Sequence, residues 1–270
     1  MSGTLRAWLA PTRPEEPETI AAARERRAIA VEMVVVLLVT FGLSAVQSLL
    51  SLLDALLRPQ PLADQNVAIN APQAQLGLLD MLQQLTNVTR LCAWGALGAY
   101  LLWRSGVALR RVGLDRSRPG RDVAGGIGLA ALIGIPGLGL YLAAHALGLS
   151  LTVQPSTLDD TWWRAPVLAL SAFGNAFAEE VLIVAYVLTR LRQLGWSENR
   201  SLWLAAVLRG GYHLYQGVGG FVGNVVMGLV FGRVWQRTNR LWPLVVGHAL
   251  IDVVAFVGYA ALRGRVAWLP

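Results

Sequence analysis

Six ionisable side chains stand within long apolar stretches of the C-terminal half: Glu179, Glu180, Arg209, His213, His248 and Asp252. A charged group at the centre of a bilayer costs roughly 2.5–3.5 kcal/mol even on the lenient insertion scale, so such groups mark function by default. These residue types suit hydrolysis. A carboxylate can take a proton from water, and a histidine can hold that water. A second histidine with a polar partner can donate hydrogen bonds to a developing oxyanion. The same set is also open to ligating a divalent metal such as zinc, which would activate the water instead. No His-Glu-x-x-His spacing is present to decide between the two.

Helical spacing sorts these groups onto faces. His248 and Asp252 are four residues apart and share a face, as do Arg209 and His213. Glu179 and Glu180 are neighbours, so they point about 100° apart. They are expected not to aim at one atom; one faces the cavity and the other braces a neighbouring helix. Glu179, His213 and His248 each fall ~12–20 Å from the nearest arginine-rich turn at 1.5 Å per residue. That places the site in the half of the bilayer next to those turns.

The elements that must position them are membrane helices. The chain has 270 residues, is 55% hydrophobic and only 14% charged. A soluble domain carries about 25% charged residues. Disorder is excluded by the abundance of apolar residues. All 23 basic residues are Arg, and they sit beside apolar runs. No basic stripe with interleaved aromatics appears, so nucleic acid is not the expected partner. One cysteine, Cys92, allows no disulfide framework.

The fold class expected is all-α, a polytopic membrane bundle of about seven to eight transmembrane helices. Seven spans are predicted at about 29–53, 76–103, 123–147, 165–188, 202–215, 221–235 and 241–262. Domain boundaries follow: an N-terminal cytoplasmic tail (1–27), N-terminal helices and loops (28–163), a catalytic helical core (164–262) and a C-terminal tail (263–270). Within the tail, 20–27 reads as helical. Seventeen arginines fall in the tail and in 104–121, 190–200 and 233–240, against four on the opposite side. This bias predicts a multi-pass protein of the cell membrane with its N-terminus in the cytoplasm. Glu32 and Asp80, near span ends, are expected to reach water. His145 reads as structural, and Asn224 as a polar link between helices that supports the site. Trp94, Trp103, Trp162, Trp163, Trp235, Trp242 and Trp268 read as interfacial anchors.

Glu-Glu in one helix, His in the next and His-x-x-x-Asp two helices later resembles the CPBP family (CAAX protease and bacteriocin-processing, also called Abi), which includes the type II CAAX prenyl endopeptidases. Ala178-Glu179-Glu180-Val181-Leu182 corresponds to its Glu-Glu-x-x-x-Arg motif. Arg209-Gly210-Gly211-Tyr212-His213 falls where the family has Phe-x-x-x-His, and His248-Ala249-Leu250-Ile251-Asp252 matches His-x-x-x-Asn/Asp. The resemblance covers about 165–260. It implies an intramembrane endopeptidase acting on a membrane protein or lipidated peptide. By it, Glu179 activates water with help from His213, His248 and Asp252 stabilise the oxyanion, and Glu180 supports the site. The family was first described as metal-dependent, and a glutamate mechanism without a catalytic metal is now preferred.

Two positions depart from the pattern. The motif arginine is Val184, and the motif phenylalanine is Arg209. A buried acid pair needs a counter-charge, so Arg209 is expected to supply from the next helix the charge missing at 184. Arg209→Ala should then lower folded yield or activity, and Val184→Arg should partly restore it. An ionised Asp252 would repel an oxyanion, so it either carries a proton or orients His248. Two other classes remain open: a non-catalytic immunity or scaffolding protein of the same fold, and a proton-coupled transporter using the glutamates as a relay.

Overall fold

The structure is a computed structural model and describes residues 8–9, 13–14, 16–263 and 265. It is mostly helical. The helices are α1 (Ala23–Val39), α2 (Phe41–Leu57), α3 (Gly77–Arg104), α4 (Pro119–Ala146), α5 (Arg164–Gln193), α6 (Glu198–Gly211), α7 (Val218–Thr238) and α8 (Trp242–Leu262). The expected tail helix begins only at Ala23; before it, Ile20 donates its backbone N–H to the Gln193 carbonyl at 2.9 Å. The expected C-terminal tail lies largely outside the described residues, as does Trp268.

Four helices, α4, α5, α7 and α8, are long and apolar enough to cross a bilayer, and α1 with α2 passes as one broken span bent by 48°. The count is therefore four or five, against the seven to eight predicted. Each difference has a local cause. The predicted span 29–53 breaks at Thr40, whose hydroxyl donates back to the Val36 carbonyl at 2.7 Å. Gly42 follows, where a Cβ would lie 2.6 Å from the Leu37 carbonyl oxygen. Helix α3 has the length, with 28 residues, but carries Asp80, Gln83, Gln84, Asn87 and Arg90 in its first half. Helix α6 has 14 residues, about 21 Å at 1.5 Å per residue. Large apolar side chains such as Val31, Leu38, Leu50, Ile127 and Ile135 point outward from α1, α2 and α4, as lipid-facing surfaces do.

The bundle also holds a small parallel sheet that the all-α expectation lacks. β1 (Asn66–Asn70) pairs with β2 (Thr152–Ser156), Asn66 opposite Thr152 and Asn70 opposite Ser156. These strands join the two loops at one end of the bundle. His145 is structural here: its Nε2 lies 2.9 Å from the Thr152 hydroxyl, which donates to the Ala63 carbonyl. Ser150 bridges Gly217, where φ is +100° and a Cβ would meet the Leu149 carbonyl at 2.7 Å. Only glycine suits both demands.

Helix α5 runs through the centre, buried without interruption from Ala178 to Leu191. Small residues let its neighbours approach: a Cβ on Gly95 of α3 would meet the Phe177 ring at 2.5 Å, and one on Gly98 the Leu182 side chain at 2.8 Å. From Glu180 to Tyr186 it widens into a π turn, and α8 does the same over Val254–Gly258. Past the first of these lies Arg190, expected to open a short basic turn but still helical and 1% exposed. It bonds Glu32 (2.9 Å), Ser105 (2.9 Å), Gln193 (2.9 Å) and the Leu101 carbonyl (3.1 Å), while Tyr186 also donates to Glu32 at 2.8 Å. Glu32 is thus an ion-pair partner on α1 that also reaches water, its side chain keeping 29% exposure. Asp80 is also buried, accepting from the Gln73 backbone at 2.8 Å and from Gln84 at 3.2 Å. Two of the predicted interfacial tryptophans are core: Trp163, and Trp235, whose indole donates to the Val112 carbonyl at 3.0 Å.

Candidate functional site

Glu179 ends the regular first part of α5, and Glu180 opens the π turn. Single π turns inside α-helices recur at functional sites. Both carboxylates are buried and both meet Arg209 of α6. Arg209 Nη2 lies 3.2 Å from Glu179 Oε2 and bonds Glu180 Oε1, and Nε lies 3.3 Å from Glu179 Oε2. One guanidinium atom therefore serves both acids, contrary to the expectation from helical spacing. Nη2 carries two N–H donors, so it can give one to each of two diverging carboxylates. Arg209 stands in the place the charge argument assigned to it, while Val184 is packed in the apolar core.

Glycines make room for this arginine. A Cβ on Gly228 of α7 would sit 3.0 Å from Ala206 Cα and 3.4 Å from Arg209 Cδ. At the end of α6, a Cβ on Gly210 would lie 2.8 Å from the Phe221 carbonyl oxygen. The helix stops there, and a 3-10 turn over Leu214–Gln216 follows.

His248 of α8 completes the cluster, its Nδ1 2.8 Å from Glu180 Oε1 and 3.4 Å from Arg209 Nη2. A ring nitrogen beside a carboxylate carries the proton, so Nδ1–H donates to Glu180. Asp252 lies at the margin, 3.7 Å from His248 Nε2 and 3.4 Å from the Asn175 amide that donates to it. His213 joins through the backbone: its Nδ1 donates to the Arg209 carbonyl at 3.0 Å, which leaves Nε2 as an acceptor. It lies within electrostatic reach of Glu179. Asn224 is not brought in; its amide donates to the Gly220 carbonyl of its own helix at 3.0 Å.

Two further residues belong to the cluster and went unnoticed in the sequence. Tyr212 donates its hydroxyl to Glu179 Oε2 at 2.7 Å, and Asn175 holds Asp252. The signal for Tyr212 was its position next to His213 at the end of an apolar helix; Asn175 stood one turn before Glu179.

The polar bookkeeping is incomplete in an informative way. Among the described residues, Glu180 Oε2 and Arg209 Nη1 are buried with no hydrogen-bond partner. Glu179 Oε1 and His213 Nε2 make no hydrogen bond to the protein among the described residues. Buried polar groups are nearly always paired, and exceptions call for a chemical reason. The residues do not fit a metal centre: among the described residues no three His, Cys, Asp or Glu side chains converge as ligands, and Arg209 already fills the space between the two glutamates.

An apolar helical bundle with a buried acid–arginine–imidazole cluster defines a class of membrane protein with potential for acid–base chemistry. Residues 161–254 match the family model of the type II CAAX prenyl endopeptidases, Rce1-like, and the chain is CAAX-protease-like over this stretch. The match spans roughly a third of the chain and takes in Glu179, Glu180, Arg209, His213, His248 and Asp252. No curated protein and no solved structure matched.

Proposed function

We propose that the chain is an intramembrane endopeptidase that hydrolyses a peptide bond of a membrane-associated substrate, a membrane protein or a lipidated peptide, with water activated by Glu179. The observation that carries this reading is the asymmetry of the Glu179 carboxylate. Tyr212 and Arg209 hold Oε2, and Oε1 is left uncommitted. One oxygen is anchored and the other is available to take a proton from water.

His213 supports the same step. Its Nδ1–H is tied to a backbone carbonyl, so Nε2 can accept a hydrogen bond from the attacking water. His248, as an imidazolium, keeps Nδ1–H on Glu180 and offers Nε2–H to the oxyanion. Asp252, 3.7 Å from that nitrogen, orients the ring. Glu180 positions both His248 and Arg209. The bundle lies in the cell membrane, with the arginine-rich ends of the helices and the N-terminus facing the cytoplasm.

The test uses the full chain in detergent micelles with a farnesylated CAAX decapeptide, product being read by mass spectrometry. Wild type should cleave it, and Glu179→Gln should cut turnover by at least ~100-fold with unchanged yield. Equal turnover in the two would overturn the mechanism. One observation favours a second reading, a non-catalytic scaffold: Arg209 bridges both glutamates as a structural ion pair would. A phenotype that survives Glu179→Gln with His213→Ala would establish it.

A further inference from the structure

A cavity of about 420 Å³ opens beside the site, bounded by α2, the start of β1 and the turn after α6. Its size falls in the range of ligand pockets, ~300–1,000 Å³. Its wall is a polar stripe on an otherwise apolar helix. Ser44, Gln47, Ser48 and Ser51 recur at helical spacing along α2 and line it. Gln47 and Ser51 are exposed. Polar side chains on a membrane helix normally face a partner helix or a hydrated path. At the far end Asp54 and Arg58 pair with each other and offset their charges. The lining thus presents hydroxyls and amides with little net charge.

A second observation ties the cavity to the candidate site. Tyr212 stands between them: it lines the cavity and gives its hydroxyl to Glu179 at 2.7 Å. Gln65, on the opposite wall, is 6% exposed and is held in place by two bonds from its Nε2 to the Ala55 and Gln60 carbonyls, each at 2.9 Å.

We propose that this cavity is the subsite for the substrate polypeptide next to the scissile bond, an uncharged extended segment laid along the polar stripe of α2 with its backbone groups on the exposed Gln47 and Ser51 side chains. The proposal rests on the peptidase reading and adds where the substrate lies. A peptide backbone supplies alternating donors and acceptors, which this lining can match; a phosphate headgroup would find only Arg58, already paired.

The test separates binding from cleavage. Ser51→Cys is made in a Cys92→Ser background, since Cys92 is the single native cysteine. Ser51 bonds only the Gln47 carbonyl of its own helix, so the change leaves the catalytic cluster untouched. The full chain in detergent micelles is labelled with a water-soluble maleimide, with and without the farnesylated CAAX decapeptide, and cleavage is read in the same samples. Labelling that slows at least ~5-fold with peptide, both in this variant and when Glu179→Gln is added, supports the subsite. Labelling that the peptide does not slow overturns it, even if cleavage proceeds. No labelling at all, as when lipid or a second copy covers α2, overturns it too. Slowed labelling without cleavage keeps the subsite and defeats the hydrolytic reading.

Discussion

Two arginines are almost completely removed from solvent in this bundle, and their surroundings differ. Arg190 meets one carboxylate, Glu32, and all five of its N–H groups are engaged by Glu32, Ser105, Gln193 and the Leu101 carbonyl. Arg209 meets two carboxylates and a histidine, yet its Nη1 has no partner, and neither has Oε2 of Glu180. The first centre is neutral and closed. The second sets two carboxylates and an imidazole against one guanidinium, with Asp252 and His213 at its margin, so its charge balance depends on how many protons it holds. A saturated ion pair ties α1, α3 and α5 together; an unsaturated one is equipped to exchange protons. Burial alone does not separate the two, and the count of donors against acceptors does.

The comparison can be broken most severely by removing one partner of the closed pair. Arg190→Leu strands Glu32 and should destabilise the fold by about 3–5 kcal/mol, seen as a lowered thermal midpoint in detergent. Arg190→Leu with Glu32→Met should recover most of that loss, since a buried pair replaced by apolar groups is often neutral. At the open centre one cation serves two acids, so the matching replacement is Arg209→Leu with Glu179→Gln and Glu180→Gln; it strands no charge and should also fold, but with peptide cleavage abolished. Should the Arg190 double variant fold and lose activity to the same degree, the division between a structural and a chemical centre fails. Tyr212→Phe comes next. A hydrogen bond to a charged group contributes about 1.5–3 kcal/mol to stability, so the thermal midpoint should fall, and cleavage should fall roughly tenfold or more because Glu179 Oε2 loses one of its anchors.

The smallest effect belongs to the ion pairs at the end of the bundle. Arg240 bonds Asp115 at 2.6 Å and Asp122 at 2.5 Å. Hydrogen bonds from Ser117 first, and then from Arg240, hold the Asp115 carboxyl below its ordinary range. A depressed carboxylate stabilises the fold above its unfolded value of about 3.9 and loses that contribution as pH falls through the folded value. Asp115→Asn should therefore lower the thermal midpoint slightly at pH 7, within about 1 kcal/mol, and the difference should shrink as pH falls through the depressed folded value of Asp115.

Much of the candidate site could be read from spacing. Glu179, Glu180, Arg209, His213 and His248 stand out because ionisable residues are rare in apolar runs, and the structure gathers them; Asp252 reaches only the edge. What spacing hid was direction. Glu179 and Glu180 diverge as adjacent helical residues should, but Arg209 spans the gap. Arg190 counted only as part of a basic turn and Glu32 as an acid near a span end, and only the packing of α1 against α5 shows that they find each other. The strands were illegible for a different reason. Asn66–Asn70 is five residues long, and its partner carries Pro155, so neither has a period to detect. The span count failed where polarity, a break or shortness intervened, at α3, Thr40 and α6.

The widened stretch after Glu180 has a consequence for the whole chain. It sets a phase offset between the two halves of α5, with the acid pair upstream and Tyr186 and Arg190 downstream. Taking out a single residue there, Ile183 for instance, would let the wide turn tighten to a regular α-helix, and the tighter coil would make up the 100° lost with the residue, so both buried arginines could still be seated. The regular stretch from Val187 to Gln193 holds no such surplus. A one-codon deletion there should swing everything downstream and be far more damaging than the same deletion within the widened stretch.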